Sequence, residues 1–411
     1  MRRVISLMIA MLLTLAACGG RQADLQEASA SVATKAAPAA DAAQSEPQPA
    51  AAGAAEQTPQ PSAEELAERA RQERLRALVD GMTVEEKVGQ LFFVRCAEPD
   101  MAEKITQYHF GGVLLFGRDY KDASDNWLSE AAFTAKLQRY QDAADIPLFI
   151  GSDEEGGTVT RATRNPNLFA AKLPSPQALY KAGGMTGLLT DTLQYNDRLR
   201  ALGVNVNFAP VCDVSTDADD FIYERAFGQD AAATADYAAQ VVDVMGQANI
   251  GAVLKHFPGY GNNVDTHTGV AFDERARETF ESTDLLPFRA GIAAGAPFVL
   301  VSHNIVTCFD ADFPASLSPA VHRLLRDELG FEGVVLTDDL AMDAVKYSAA
   351  DGDVATMALL AGNDMLVTTD FETQIPQVLT AVERGIIPME TLDAAVTRVL
   401  AVKLQLGLLG E

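Results

Sequence analysis

Cysteine, positive charge and long apolar runs are all scarce in this chain. Four cysteines are spread over 411 residues, with no CxxC pairing. That spacing speaks against a disulfide framework and against a cysteine-built metal site. Cys96, Cys212 and Cys308 stand in apolar, strand-like runs and read as buried free thiols. No HExxH or other ligand cluster is present, so neither a metal nor another cofactor is expected. Lys and Arg number 32 against 57 Asp and Glu, a formal net charge of −25. So acidic a chain offers no footprint for nucleic acid. One apolar run is long, from Val4 to Ala17, and it is shorter than the roughly 20 residues that span a bilayer.

That run follows Arg2 and Arg3 and has the form of a secretory signal. It ends in Leu15-Ala16-Ala17-Cys18, which resembles a bacterial lipobox. The resemblance implies cleavage after residue 17, lipid on the Cys18 sulfur and an extracytoplasmic protein held at the membrane. Removing residues 1–17 takes two arginines with it, leaving 30 basic against 57 acidic residues, or −27. Anionic lipid would repel such a chain, so attachment would rest on the anchor. Residues 18–61 read as the lipidated cysteine and a disordered linker. The linker is rich in Ala, Pro, Gln, Ser and Glu, and beyond alanine its only aliphatics are Leu25 and Val32. It has too little apolar surface to offset ordering entropy. As a coil it spans roughly 35–40 Å, and fully extended about 140 Å.

From residue 62 the pattern changes. Ser62 with Glu65, and Thr83 with Glu86, form capping boxes that open helices. Leu66, Ala70, Leu75, Leu78 and Val79 give the first helix an apolar face. Short apolar runs then alternate with helical patterns. They are Leu91–Arg95, Gly112–Phe116, Leu148–Ser152, Asn205–Pro210, Ala252–His256, Phe298–His303, Val334–Asp338 and Asp364–Thr368. Eight strands separated by helices suggest a (β/α)8 barrel, although a doubly wound open sheet has the same periodicity. The last helix is expected at Leu392–Leu406, which leaves 62–411 as one domain.

Several of the runs end in polar residues: Asp153, Asp213, Lys255, His256, His303 and Asp338. In a barrel these form one rim. The richest stretch is Lys255-His256-Phe257-Pro258-Gly259-Tyr260-Gly261, followed by Asp265-Thr266-His267. A carboxylate beside an imidazole fixes its tautomer and makes it a usable general acid/base. Asp338 either caps the helix that follows it or serves as a carboxylate nucleophile.

KHFPGYG followed by DTH resembles the signature of the β-N-acetylhexosaminidase branch of glycoside hydrolase family three. Other segments match in order: MTVEEKVGQLFFV from Met82, DEEGGTVTR from Asp153, NFAPVCDV from Asn207 and ERAFG from Glu224. VSHN from Val301, PASLSP from Pro314 and GVVLTDDLAM from Gly333 complete the set. Together they span about four fifths of the chain. The resemblance implies the barrel rather than the open sheet. It implies Asp338 as nucleophile, with Asp339 structural, and His267 as acid/base on a mobile loop, oriented by Asp265. It further implies Asp153, Arg161, Arg225, Lys255 and His256 as the residues that bind an N-acetylglucosamine ring. The substrate would then be an N-acetylglucosamine-terminated glycan. Tyr260 stands where the family often has histidine.

Three other activities fit parts of this pattern. A β-glucosidase of the same family generally draws its acid/base from a second domain. A phosphorylase would use phosphate in place of water. A catalytically dead, lipid-anchored sugar-binding protein is opposed by the joint presence of Asp338, Asp265 and His267.

Overall fold

Short buried apolar runs, each stopped by turn-forming residues, become the strands of one sheet. The computed structural model describes residues 62–95, 99–263, 269, 271–346 and 353–410. Ten strands are described: β1 (Phe92–Arg95), β2 (Gly112–Leu115), β3 (Phe149–Ser152), β4 (Val206–Asn207) and β5 (Gly251–Phe257), then β6 (Phe272–Asp273), β7 (Phe298–Val301), β8 (Ile305–Val306), β9 (Val334–Thr337) and β10 (Leu366–Thr368). Eight of them form a parallel sheet in the order β10-β1-β2-β3-β4-β5-β7-β9. The two ends meet. The Thr337 N–H donates to the Met365 carbonyl at 3.1 Å, and the Met365 N–H to Val335 at 3.0 Å. The sheet is therefore a closed barrel with helical crossovers, as parallel strands require.

All eight expected strands form. The largest shortening is at Asn205–Pro210, where only Val206 and Asn207 keep ladder geometry. Pro210 has no N–H to give to a ladder. The ribbon of β6 with β8 was not expected; it pairs Phe272 with Ile305 and Asp273 with Val306. Each of its strands has only two residues, too few to show a period.

The barrel interior is packed with rings. Phe93 lies 6.2 Å from Phe149 and 5.3 Å edge-on from Phe208, and Phe149 lies 5.1 Å edge-on from Phe298. All four are buried. Gly151 makes room for two of them, since a Cβ there would come within 2.8 Å of both Phe208 and Phe93. Outside the barrel, Ser62 caps the helix Ala63–Asp80 as its sequence implies, and Thr83 caps Val84–Gln90. The first of these helices buries only Leu75 and Val79, while Leu66 is exposed. It packs on the helix Met389–Gln405, and its first turns are exposed. Cys212 is a buried free thiol, and Cys308 is also free but only half-buried. Cys18 and Cys96 lie outside the described residues.

Candidate active site

Four of the six strand-end polar residues converge on a cleft of about 360 Å3, while Asp213 and His303 sit behind it. Asp153 follows β3, Lys255 and His256 end β5, and Asp338 follows β9; all four line the cleft with Arg161 and Arg225. Pairing of β5 with β7 shifts register between Leu254 and Phe257. The irregularity breaks the strict two-residue alternation, and the adjacent side chains of Lys255 and His256 both line the cleft.

Three consecutive carboxylates after β3 take three different roles. Asp153 accepts from Lys255 Nζ at 3.0 Å and faces Arg161 at 3.4 Å. Glu155 is buried and takes a two-pronged bond from Arg225, at 2.9 and 2.8 Å, and an ion pair from Lys255 at 2.6 Å. Burial alone would raise its carboxyl; the charges of Arg225 and Lys255 prevail and hold it well below the usual range. Glu154 points the other way, into the packing of helices Pro176–Ala201 and Ala231–Gln247, and burial pushes its carboxyl up to about 7. The turn after them is only open to glycine. Gly156 has φ +94°, and a Cβ there would lie 2.2 Å from the Pro174 carbonyl.

His256 is held from two sides. Its Nδ1 is 2.7 Å from Asp213, and its Nε2 is 3.0 Å from Arg225 Nη2. Arginine only donates, so Nε2 accepts and the ring proton sits on Nδ1. Asp213 also accepts from the His256 N–H at 3.2 Å and the Tyr260 N–H at 2.8 Å. One buried carboxylate thus fixes both the imidazole and the turn after it. Tyr260 is buried and packs edge-on to His256 at 5.2 Å, so it supports the turn. Asp265 and His267 lie outside the described residues. Both feet of their loop are anchored. Arg275 pairs with Asp273 in β6 and with Asp284, and its guanidinium packs against Gly261.

Asp338 is placed by backbone. Its N–H donates to the Val301 carbonyl at 3.0 Å, and its Oδ1 accepts from the Asp339 N–H at 2.8 Å. The Asp339 side chain turns to Arg95 at 3.3 Å and accepts from the Ala341 N–H at 2.9 Å. His303 lies behind, buried, with Nδ1 2.7 Å from Ser316 Oγ and Nε2 3.1 Å from the Asp339 carbonyl. The carbonyl only accepts, so the proton is on Nε2 and Ser316 donates to Nδ1.

Arg95, Phe116, Glu155 and Asp213, which line or support the cleft, carry no assigned role in the sequence reading. Arg95 ends β1 in the way that the other rim residues end their strands, so the same signal marks it. Its guanidinium lies 3.7 Å over the Phe116 ring, and that of Arg161 lies 5.2 Å from the same ring. Glu155 has no such signal; its role depends on partners 70 and 100 residues away.

The pattern that defines the glycosyl hydrolase family 3 N-terminal domain matches residues 83–402. A β-hexosaminidase of Tolumonas auensis is 34% identical over 281 residues, 67% of this chain and 80% of that protein. A β-hexosaminidase of Mycobacterium tuberculosis, LpqI, is 30% identical over 78% of this chain and 83% of its own length. Among solved structures, LpqI superposes with a TM-score of 0.71 at 29% identity, covering 80% of this chain and 96% of that one. A family 3 β-N-acetylglucosaminidase from a Paenibacillus species gives 0.72 at 31% identity over 80% of this chain and 63% of that longer one. With most of its length matched and a polar rim in a closed (β/α)8 barrel, the chain belongs to glycosyl hydrolase family 3.

Proposed function

We propose that the protein is an exo-acting, retaining β-N-acetylhexosaminidase that releases terminal N-acetylglucosamine, with peptidoglycan fragments as its glycan. The observation that carries this is the cleft. It gathers the strand-end carboxylate Asp338 with a set of donors and acceptors, Asp153 among them, suited to a single polar ring. Its volume of about 360 Å3 is at the low end for small-ligand sites, roughly 300–1,000 Å3, which suits one sugar and not a long glycan. Asp153 accepts from sugar hydroxyls, while Arg161, Arg225 and Lys255 donate to ring substituents and the amide carbonyl.

In the first step an Asp338 oxygen attacks the anomeric carbon as its bond to the leaving oxygen breaks. The His267 imidazolium gives its proton to that oxygen, and Asp265 orients the ring. The product is a glycosyl ester. In the second step neutral His267 takes a proton from water, the water oxygen attacks the anomeric carbon, and Asp338 leaves as carboxylate. Two inversions return the β configuration.

The test is hydrolysis of 4-nitrophenyl N-acetyl-β-glucosaminide against the matching β-glucoside, with and without phosphate. Preference for the glucoside, or dependence on phosphate, would overturn the reading. His267→Ala tests the acid/base. A good leaving group departs without protonation, so glycosylation should be least impaired on a dinitrophenyl glycoside and most impaired on a natural disaccharide. The stalled second step should give a burst, and azide should speed it. Equal slowing on both substrates, with neither burst nor azide rescue, would remove His267 from the role.

The lipobox reading places the enzyme outside the cytoplasm, tethered through Cys18. Cys18→Ser is expected to move the protein from the detergent to the aqueous phase with the activity of its catalytic domain unchanged. Persistent detergent partitioning after loss of signal and lipid would point to another anchor.

A further inference from the structure

Glu154 is buried between two cleft carboxylates, yet it does not face the cleft. Its side chain reaches forward seven residues. Oε1 accepts from the Arg161 N–H at 2.5 Å and from the Ala162 N–H, and Oε2 accepts from Thr163 Oγ at 2.9 Å. These N–H groups open the short turn Ala162–Arg164, whose own N-cap position, Arg161, supplies no side-chain cap. Glu154 thus caps the turn from outside it, satisfying donors that are otherwise orphaned. Its own peptide is fixed in turn. The Glu154 N–H donates to Asn207 Oδ1 at 3.0 Å, and Asn207 Nδ2 donates to the Glu154 carbonyl at 3.2 Å. Asn207 belongs to β4, so the frame of the barrel holds both sides of the residue.

The Arg161 side chain has weaker moorings of its own. Its contact with Asp153 is 3.4 Å long, and its guanidinium stands 5.2 Å from the Phe116 ring. Where the guanidinium sits in the cleft is therefore set chiefly by the backbone at 161, and that backbone is gripped by Glu154.

We propose that Glu154 is a positioning residue for Arg161, transmitting the register of β3 and β4 to the guanidinium that binds the sugar. The proposal rests on the sugar-binding reading of Arg161. It makes one short run, Asp153-Glu154, responsible for two points of sugar contact, one directly and one through the turn.

The experiment is steady-state kinetics of the purified full chain on 4-nitrophenyl N-acetyl-β-glucosaminide, with folding followed by melting temperature and near-ultraviolet dichroism. Glu154→Gln is expected to stay within about threefold of wild type. Its amide oxygen still accepts both N–H groups, and its amide N–H2 meets the Thr163 hydroxyl as acceptor. Glu154→Asp withdraws the carboxylate by one methylene and is expected to lower kcat/KM at least roughly tenfold in a folded protein, as a misplaced contact does. In an Arg161→Ala background the same Glu154→Asp change should cost less than about threefold, because the group it positions is gone. Wild-type kinetics in Glu154→Asp, an undiminished cost in the Arg161→Ala background, or a loss that tracks unfolded protein would each overturn the proposal. Arg161→Ala with wild-type kinetics would instead sink the sugar-binding reading of Arg161, and the proposal with it.

Discussion

Asp338→Ala should remove turnover, by roughly 10^4-fold or more, as loss of a catalytic nucleophile does. The cleft holds three other carboxylates, and each is tied to a cation. Asp153 is held by Lys255, Glu155 by Arg225 and Lys255, and Asp339 by Arg95. An ion-paired carboxylate is a poor stand-in for a nucleophile, because its lone pairs are already engaged. Asp339→Ala should cost far less. It is the Asp339 backbone N–H that touches Asp338, and alanine keeps that N–H. Trapping the glycosyl ester of His267→Ala with a dinitrophenyl glycoside, followed by digestion and peptide sequencing by mass spectrometry, should find the sugar on Asp338. Equal losses in Asp338→Ala and Asp339→Ala, with both proteins folded, would displace Asp338 from the role.

The second large effect is on stability. Glu155→Ala takes the carboxylate partner from buried Arg225 and leaves Lys255 with Asp153 alone, and should destabilise the fold by about 3–5 kcal/mol in urea melts. A loss below about 1 kcal/mol would mean that the pairs are no better than surface ones. The pH dependence separates this residue from its neighbour. The carboxyl of Glu155 is depressed in the fold, so its contribution is present above the unfolded value of 4.5 and is lost as pH falls below it. Glu154 has the opposite sign. Between 4.5 and about 7 the folded chain keeps a proton that the unfolded chain has released. Stability from this group therefore falls as pH rises through that window, by about 3 kcal/mol at most. Glu154→Gln should flatten that limb and be the more stable protein at pH 8. A wild-type curve without a downward slope there would contradict the assignment.

The eight strands were legible because they are buried and read as short apolar blocks, while the choice of a barrel over an open sheet came from the family resemblance and not from the blocks. The rim was legible because a charged residue ending such a block has few structural reasons to be there. The adjacent pair Glu154 and Glu155 shows where reading stops. Two identical side chains, one after the other, face opposite ways. One meets two cations, and the other meets backbone donors. Their partners lie on other strands and loops, and only closure of the barrel decides which glutamate meets which. The bond between Arg95 and Asp339 joins positions 244 residues apart for the same reason. The first helix erred in the other direction. Its apolar stripe reads as continuous, but its partner helix covers only the part around Leu75 and Val79.

The ring-filled interior also governs traffic. Phe93, Phe149, Phe208 and Phe298 are packed together inside the barrel, and Phe208 also lines the cleft, so the rings floor the cleft on that side. On the proposed mechanism, the departing aglycone would leave by the rim side before water reaches the glycosyl ester. An incoming sugar hydroxyl would arrive by the same route and compete with water for the same carbon. Crowded with acceptor glycans, such a cleft would join sugars as well as part them.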